Sequence, residues 1–135
     1  MAARSKARKR ALDILFEAEV RGVPVLSTLE ERSGEAVPPV SAYAAELVRG
    51  VQAHRGEIDK LLAANSADWP VERMPAVDRN ILRIGAYELL WSADVPDAVA
   101  ISEAVVLASD LSTDASPGFV NGLLARLLEL RDQAG

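Results

Sequence analysis

The sequence has no cysteine and a single histidine, His54. Without cysteine, neither a disulfide framework nor a thiolate metal site can form, and one histidine cannot build a histidine-rich metal centre. No stretch reaches the roughly 18 to 20 uninterrupted apolar residues of a membrane span. The N-terminus lacks the apolar core of a secretory signal. We therefore expect a cytoplasmic protein that needs no metal, cofactor or membrane.

The sequence also lacks the motifs of common enzymes. We find no phosphate-binding P-loop, no dinucleotide glycine fingerprint, no His-Glu-x-x-His and no Gly-x-Ser-x-Gly. The one acidic residue three or four positions from His54 is Glu57, and we favour a packing or surface role for His54 over that of a catalytic base. The sequence therefore predicts a binding module rather than an enzyme.

The apolar residues recur at spacings of three and four, which is typical of amphipathic helices. The predicted helices are Ser5–Arg21, Pro24–Ser33, a helix from a Ser41 cap to Asn65, a short turn at Val71–Met74, Ala76–Trp91, a helix from Ile101 or Ser102, and Pro117–Arg131. A loop is predicted at Ser33–Pro39 and a connector at Ala67–Pro75. Since strand signals are absent, we predict one all-α domain of about seven helices over residues 1–135.

The charge is distributed unevenly. The net charge is −5, yet the first ten residues carry five cations and no acid. These cations, called here the basic start, are Arg4, Lys6, Arg8, Lys9 and Arg10. They lie at the end of the first helix where the helix dipole is already positive, so local stability does not explain them. A polyanion partner does, although a merely solvated basic end stays open as an alternative.

The stretch Ser116–Gly122 combines a helix start with residues that a helix start does not need. Ser116 suits a helix N-cap and Pro117 the first helical position. Gly118 and Gly122 each cost a helix roughly 1 kcal/mol relative to alanine. Their positions around Phe119 suggest that something approaches the backbone closely, or that the glycines relieve crowding around a buried ring.

Together these two stretches predict single-stranded RNA as the polyanion. Cations neutralise phosphates, whereas Phe119 offers a ring on which an unpaired base can stack. Asn121 could read a base edge, but we favour a structural role for it. Trp69 is interpreted as a core residue that would become an interface candidate if it were exposed.

Four segments in this order resemble the NusB family of bacterial transcription antitermination factors. They are Arg4–Arg8 before an apolar helix, Asp78–Leu89, Val95–Pro96 with Val99–Ala104, and Phe119–Leu124. The resemblance covers nearly the whole chain and is weakest between Gly22 and Ser41. It implies an all-helical fold of two small packed helical bundles.

The resemblance also implies a function. NusB-like proteins bind the boxA element of ribosomal RNA leader transcripts together with the small-subunit ribosomal protein NusE. They help RNA polymerase, with other Nus factors, to read past terminators. Members occur as monomers or as homodimers that hide the RNA surface, and the sequence leaves both states open.

Individual positions carry the family's site residues. Arg4, Lys6 and Arg8 match the arginine-rich RNA-binding start. Phe16 stands where relatives often have a tyrosine associated with RNA contact, so stacking is kept and a hydroxyl is lost. Phe119 matches the aromatic residue at the RNA surface, where we expect it to form one wall and the basic start the other.

Two further positions concern partners and departures from the family. Asp78 matches an acidic position on the NusE-facing side, and Ala115 replaces an acidic residue of some relatives. Two alternatives remain. One is a helical protein–protein scaffold that does not bind RNA. The other, a ribosomal RNA cytosine methyltransferase with a NusB-like domain, would require a cofactor-binding domain for which 135 residues leave no room.

Overall fold

The computed structural model describes residues 3–35, 37–66 and 69–134, and within these ranges all regular secondary structure is helical. The α-helices are α1 (Ala3–Arg21), α2 (Val25–Ser33), α3 (Ala42–Asn65), α4 (Ala76–Trp91), α5 (Asp97–Leu111) and α6 (Ser116–Ala134), and a 3-10 helix spans Val71–Arg73. These six α-helices and the 3-10 turn of the described ranges confirm the predicted all-α fold of about seven helices. Ala36 of the predicted loop, and Ala67 and Asp68 of the predicted connector, lie outside the described residues.

Proline marks the start of several helices. Pro24, Pro70, Pro75 and Pro96 directly precede α2, the 3-10 helix, α4 and α5, with φ between −54 and −60° and ψ between 137 and 143°. None of these four positions has a side-chain cap. Because proline fixes φ near the helical value, it sets the direction of the chain without a capping side chain.

Helix α5 begins at Asp97, four or five residues before the predicted start. The carbonyl of Pro96 accepts hydrogen bonds from the N–H groups of Val99 and Ala100, each at 3.0 Å. Asp97 also lies in the first turn, where the helix dipole favours an acid. The prediction of a start near Ile101 or Ser102 was therefore wrong, because it followed only the apolar pattern.

By its internal contacts the chain divides into two compact units, residues 1–53 and 54–135, with the boundary inside α3. In unit 1, α1 and α2 pack together. A left-handed glycine, Gly22 with φ of 67°, ends α1 between them, as its sequence position predicted. In unit 2, α4, α5 and α6 pack against one another. Two helical units agree with the two bundles that the resemblance implied.

Helix α4 supplies the centre of unit 2, since its residues from Asn80 to Leu89 are all buried. A Cβ placed on Gly85 would lie 2.7 Å from Cδ1 of Leu124 and 3.5 Å from Cβ of Ala104. Gly85 is therefore a point of close packing between α4 and the helices that carry Leu124 and Ala104. None of the helices in the described ranges combines the length and the apolar character that a membrane crossing requires.

Candidate nucleic-acid interface

The basic start occupies the first turns of α1, and its five cations differ in exposure. Lys6 is exposed, and Arg4, Lys9 and Arg10 are partly exposed. Arg8 is only 3% exposed. The first turn of α1 contains no acidic residue. The predicted RNA-binding cations therefore include four that reach the surface and one that is enclosed.

Tyr43, in the first turn of α3, packs against this end of α1. The guanidinium of Arg4 lies 4.4 Å from the centroid of the Tyr43 ring, and that of Arg8 lies 5.8 Å from it. An arginine held over an aromatic face gains a cation–π attraction and loses rotational freedom. Tyr43 thus orients Arg4 and Arg8, the first two arginines of the basic start. Sequence reasoning missed this residue, because no local pattern links it to α1.

The two cations that follow are held in different ways. Lys9 donates to both carboxyl oxygens of Asp13, one turn further on, at 2.8 and 3.0 Å. Nε and Nη2 of Arg10 are buried and have no hydrogen-bond acceptor within the described parts of the chain. A buried guanidinium donor without an acceptor is costly, and an anion that reached it would remove that cost. Arg10 is therefore the cation of the basic start whose local geometry most favours an added anion.

Phe16 lies two turns beyond Lys9 on α1 and leaves 37% of its surface exposed. Because residues seven apart share a face of a helix, Phe16 and Lys9 present an aromatic ring and a cation on the same side. A large exposed ring next to a cation is suited to a ligand with both flat bases and phosphates.

The second half of α1 carries an ion-pair network that joins it to α2. Glu17 accepts from Nε and Nη2 of Arg32 at 2.9 and 2.6 Å and from Nη1 of Arg21 at 2.9 Å. The hydrogen bonds from Arg32 contribute most, and those from Arg21 add to them, in lowering the pKa of Glu17 from 4.5 to about 2. Bidentate arginine–carboxylate contacts fix geometry as well as charge. The network ties α2 to the helix that bears the basic start.

In unit 2, Phe119 forms an aromatic pair with Trp69. The ring centroids are 4.7 Å apart and the ring planes meet at 60°, an edge-to-face contact. Both residues are partly exposed. Trp69 is therefore an interface candidate rather than a fully buried core residue. Trp69 could be noticed in the sequence from its place beside Pro70 in the predicted connector, but no pattern indicated its contact with Phe119.

The segment that carries Trp69 is held by hydrogen bonds on both sides of it. The N–H of Trp69 donates to the carbonyl of Ser66 at 3.0 Å. Nη1 of Arg79 donates to the carbonyls of Val71 at 2.8 Å and Met74 at 2.9 Å. Val71 and Met74 are buried. These hydrogen bonds fix the backbone from Trp69 to Met74, and the Trp69 ring lies against Phe119 in the first turn of α6.

The two glycines around Phe119 have open space beside them. A Cβ added to Gly118 or Gly122 would meet, within 4 Å, no atom of the described chain apart from its chain neighbours and the nearby backbone of its own helix. The close approach that the sequence suggested is therefore not made by the chain itself at these positions. Asn121 is exposed, and the structural role favoured for it stays a prediction.

Asp78, the predicted partner-contacting residue, is fully buried. Its two carboxyl oxygens accept hydrogen bonds from the hydroxyls of Ser112 and Ser116, the latter at 2.7 Å. Ser116 is itself fully buried and is the first residue of α6 rather than its cap. The predicted cap was wrong, because the Ser116 hydroxyl is committed to Asp78. Asp78 holds the junction of α5 and α6, so its direct contact with a partner stays a prediction.

His54 packs against aromatic residues, as predicted for a packing residue. Its ring stacks on Trp91 with centroids 4.1 Å apart and planes 14° apart, and its centroid lies 6.1 Å from that of Tyr87. Across the described residues, no three acidic or histidine side chains cluster in the way metal ligands do.

Known proteins are similar to this chain over most of its length. The model of the NusB family matches residues 5–129. The transcription antitermination protein NusB of Kineococcus radiotolerans is 58% identical over 132 residues, which cover 98% of this chain and 97% of that protein. NusB of Thermobifida fusca is 57% identical over 126 residues, covering 93% and 89% of the two chains.

Solved structures share the fold. T. maritima NusB matches with a TM-score of 0.83 and 32% identity over 95% of this chain and 92% of that one. The antitermination factor NusB from a structure with NusE and dsRNA matches with a TM-score of 0.82 and 25% identity over 94% and 96%. The resemblance read from four short segments is confirmed, and the chain belongs to the NusB family.

Proposed function

We propose that this chain is a transcription antitermination factor that binds boxA-type single-stranded RNA in ribosomal RNA leader transcripts. It acts with the ribosomal protein NusE and promotes processive transcription by RNA polymerase and other Nus factors. The relatives that are more than half identical are named as transcription antitermination proteins. One solved relative is described as a complex of NusB and NusE with dsRNA.

The observation that carries the proposal is the basic start of α1. Four surface-reaching cations lie on two turns of a helix whose first turn has no acid, in a chain of net charge −5. Phosphate neutralisation by such a cluster releases counterions and makes affinity depend on salt. Arg10 adds two specific donor atoms, Nε and Nη2, which are buried and have no hydrogen-bond acceptor in the described chain.

The five cations then take different roles in the proposal. Lys6, Lys9 and Arg10 neutralise phosphates. Arg4 does so from its position over Tyr43, and the enclosed Arg8 supports the start of α1 from within. Phe16 and Phe119 supply rings on which unpaired bases stack, which favours single-stranded over duplex RNA.

The remaining assignments follow from this role. Residues 1–135 act as one RNA-binding domain, without catalysis, in the cytoplasm where leader transcripts are made. Asp78 supports NusE binding indirectly, by holding the junction of α5 and α6. A homodimer that covers the basic start would compete with RNA, so RNA affinity should then fall as the protein concentration rises.

The test is the affinity for a fluorescent boxA RNA oligonucleotide, measured across salt concentrations with and without NusE. In the variant Lys6→Ala with Arg10→Ala, we expect weaker binding and a slope of log affinity against log salt that is shallower by about 1.4, or about 0.7 per lost contact with single-stranded RNA. These two positions are preferable to Arg8, whose burial would confuse RNA binding with folding.

The matched control is Arg126→Ala, which removes a cation that is 49% exposed and paired with Glu129 on α6. It should leave both the affinity and the slope unchanged. Equal affinity and slope in the wild type and the double variant would overturn the RNA proposal. NusE binding retained under those conditions would favour the helical scaffold instead.

A further inference from the structure

We propose that Trp69 is a further RNA-contacting aromatic residue, which forms with Phe119 a platform for one unpaired base. The inference rests on the proposed function and adds to it a residue fifty positions away from Phe119. It also specifies the ligand, because an aromatic platform binds the flat face of a base and not the phosphate backbone.

The first support is the exposure of the pair. In an edge-to-face contact, the edge of one ring covers only one face of the other, so the remaining face is not used by the pair itself. Trp69 and Phe119 are both partly exposed while they remain in contact at 4.7 Å. The two rings support each other and still offer apolar surface to a ligand.

The second support is that the positions next to Phe119 on its own helix carry little or no side chain. Gly122 lies three residues after Phe119, and therefore next to it on the helix surface. Neither Gly122 nor Gly118 has, within 4 Å of where a Cβ would stand, any atom of the described chain apart from its chain neighbours and the nearby backbone of its own helix. Ala115, four residues before Phe119, is small and exposed. Glycine is unfavourable inside a helix, and no internal contact here compensates for it. An external group that lies against this turn would account for both glycines.

The third support is the way in which Trp69 is held. Its N–H bonds to Ser66, and Arg79 binds the two carbonyls of the buried residues Val71 and Met74 that follow it. These hydrogen bonds hold the backbone on both sides of the Trp69 ring, and a residue whose backbone is fixed before binding loses less conformational freedom when a base stacks on its ring. The fixed backbone suits a preformed binding surface.

The spectroscopic test uses the fact that the chain has only two tryptophans. In the full chain with Trp91→Phe, all tryptophan emission comes from Trp69. We expect a single-stranded boxA RNA oligonucleotide to quench that emission at the concentration at which it binds. In the reciprocal variant Trp69→Phe, emission comes from Trp91, which stacks on His54, and should not change.

The affinity test uses Trp69→Ala. We expect about tenfold weaker binding to boxA RNA, because loss of one base stack is worth roughly one decade in affinity. The salt slope should stay that of the wild type, since no phosphate contact is removed. Affinity for an unrelated unpaired oligonucleotide should fall by the same factor, because stacking tolerates any base. Trp69→Phe should recover part of the loss.

The outcomes separate this inference from the proposed function. If the wild type binds RNA with the expected salt dependence, but Trp69 emission and the affinity of Trp69→Ala do not change, the platform is wrong and the antitermination proposal stands. If the wild type binds no RNA, both are overturned. Should Trp69→Ala fail to fold, the quenching measured in Trp91→Phe decides by itself, since that variant keeps Trp69.

Discussion

Helix α4 and the first half of α1 use charged residues in opposite ways. In α4, Arg83 is almost fully buried and donates to both carboxyl oxygens of Asp59 at 2.9 Å, and Asp78 accepts hydrogen bonds from two serines. In α1, Lys6 is exposed and Arg10 has donors without acceptors in the described chain. The buried polar groups Arg83 and Asp78 of α4 are satisfied by the fold, whereas Nε and Nη2 of Arg10 in α1 are not satisfied within the described chain.

The glycines of α4 and α6 show a similar difference. The side chain of Leu124 occupies the space beside Gly85 in α4, whereas the space beside Gly118 and Gly122 in α6 is open. A glycine that destabilises its own helix can therefore be explained either by a close contact within the chain or by an external ligand. The structure separates the two cases, which look alike in the sequence.

The largest effect on this contrast should come from Asp78→Ala. The substitution leaves the buried hydroxyl of Ser116 and that of Ser112 without their acceptor, and we expect the free energy of unfolding to fall by about 3 kcal/mol. Urea denaturation followed by circular dichroism measures it. Asp78→Asn keeps one carbonyl acceptor and should lose less. A stability equal to that of the wild type would show that the buried polar junction of α4 is not held by this residue.

A smaller loss is expected for Gly85→Ala. The new Cβ would lie 2.7 Å from Cδ1 of Leu124 in a closed core, and such overpacking costs about 1–3 kcal/mol. The matched control is Gly118→Ala, where the added methyl group meets open space and the better helix propensity of alanine should raise stability by up to about 1 kcal/mol. Thermal unfolding measures the change in stability of both variants. Changes of the same sign would contradict the proposed difference between the two glycines.

Glu17→Gln tests whether the paired part of α1 behaves like α4. The pKa of Glu17 is depressed from 4.5 to about 2 in the folded chain, so its stabilisation is present above pH 4.5 and is lost as the pH falls towards 2. The variant should be less stable at neutral pH and should lose less stability between pH 4.5 and 2. Urea titrations at several pH values measure this, with the exposed Glu46→Gln as control. An equal loss of stability between pH 4.5 and 2 in the variant and the wild type would contradict the ion pairing of Glu17.

The smallest effect is expected for Asp13→Asn. This change removes an exposed ion pair with Lys9, worth about 0.3–0.5 kcal/mol of stability. It also leaves Lys9 with its full charge for RNA, so affinity for boxA RNA should rise slightly. Glu129→Gln breaks the comparable exposed pair with Arg126 on α6 and should change stability alone. A fall in RNA affinity for Asp13→Asn would mean that Asp13 orients Lys9 for binding.

The helices of this chain could be predicted from the sequence because apolar spacing is a local property. The ends of α1 and α3 lie where glycine, asparagine and polar residues indicated them, but the start of α5 at Asp97 did not follow the apolar pattern. The site was harder to predict. The burial of Arg8 depends on packing that no local spacing indicates, and Asp78 is bonded to serines 34 and 38 residues away.

The aromatic pair illustrates the same limit. Phe119 could be chosen from its own neighbours, since the flanking glycines are adjacent in sequence. Trp69 could not be connected to it, because the two rings meet only after α4, α5 and the connector have folded. Sequence reasoning thus found the residues with unusual neighbours and missed those whose role depends on distant partners, Tyr43 among them.

The dependence of α4 on α6 has a consequence for biosynthesis. Leu124, which fills the space at Gly85, and Ser116, which binds Asp78, both come from α6. Helix α4 therefore cannot reach its native surroundings on the ribosome until α6 has been translated and has left the exit tunnel. The ion pair between Glu17 and Arg32 joins segments only fifteen residues apart, so α1 and α2 can pair much earlier. During synthesis, α1 can therefore form its ion pairs with α2 well before the pair of Trp69 and Phe119 can form.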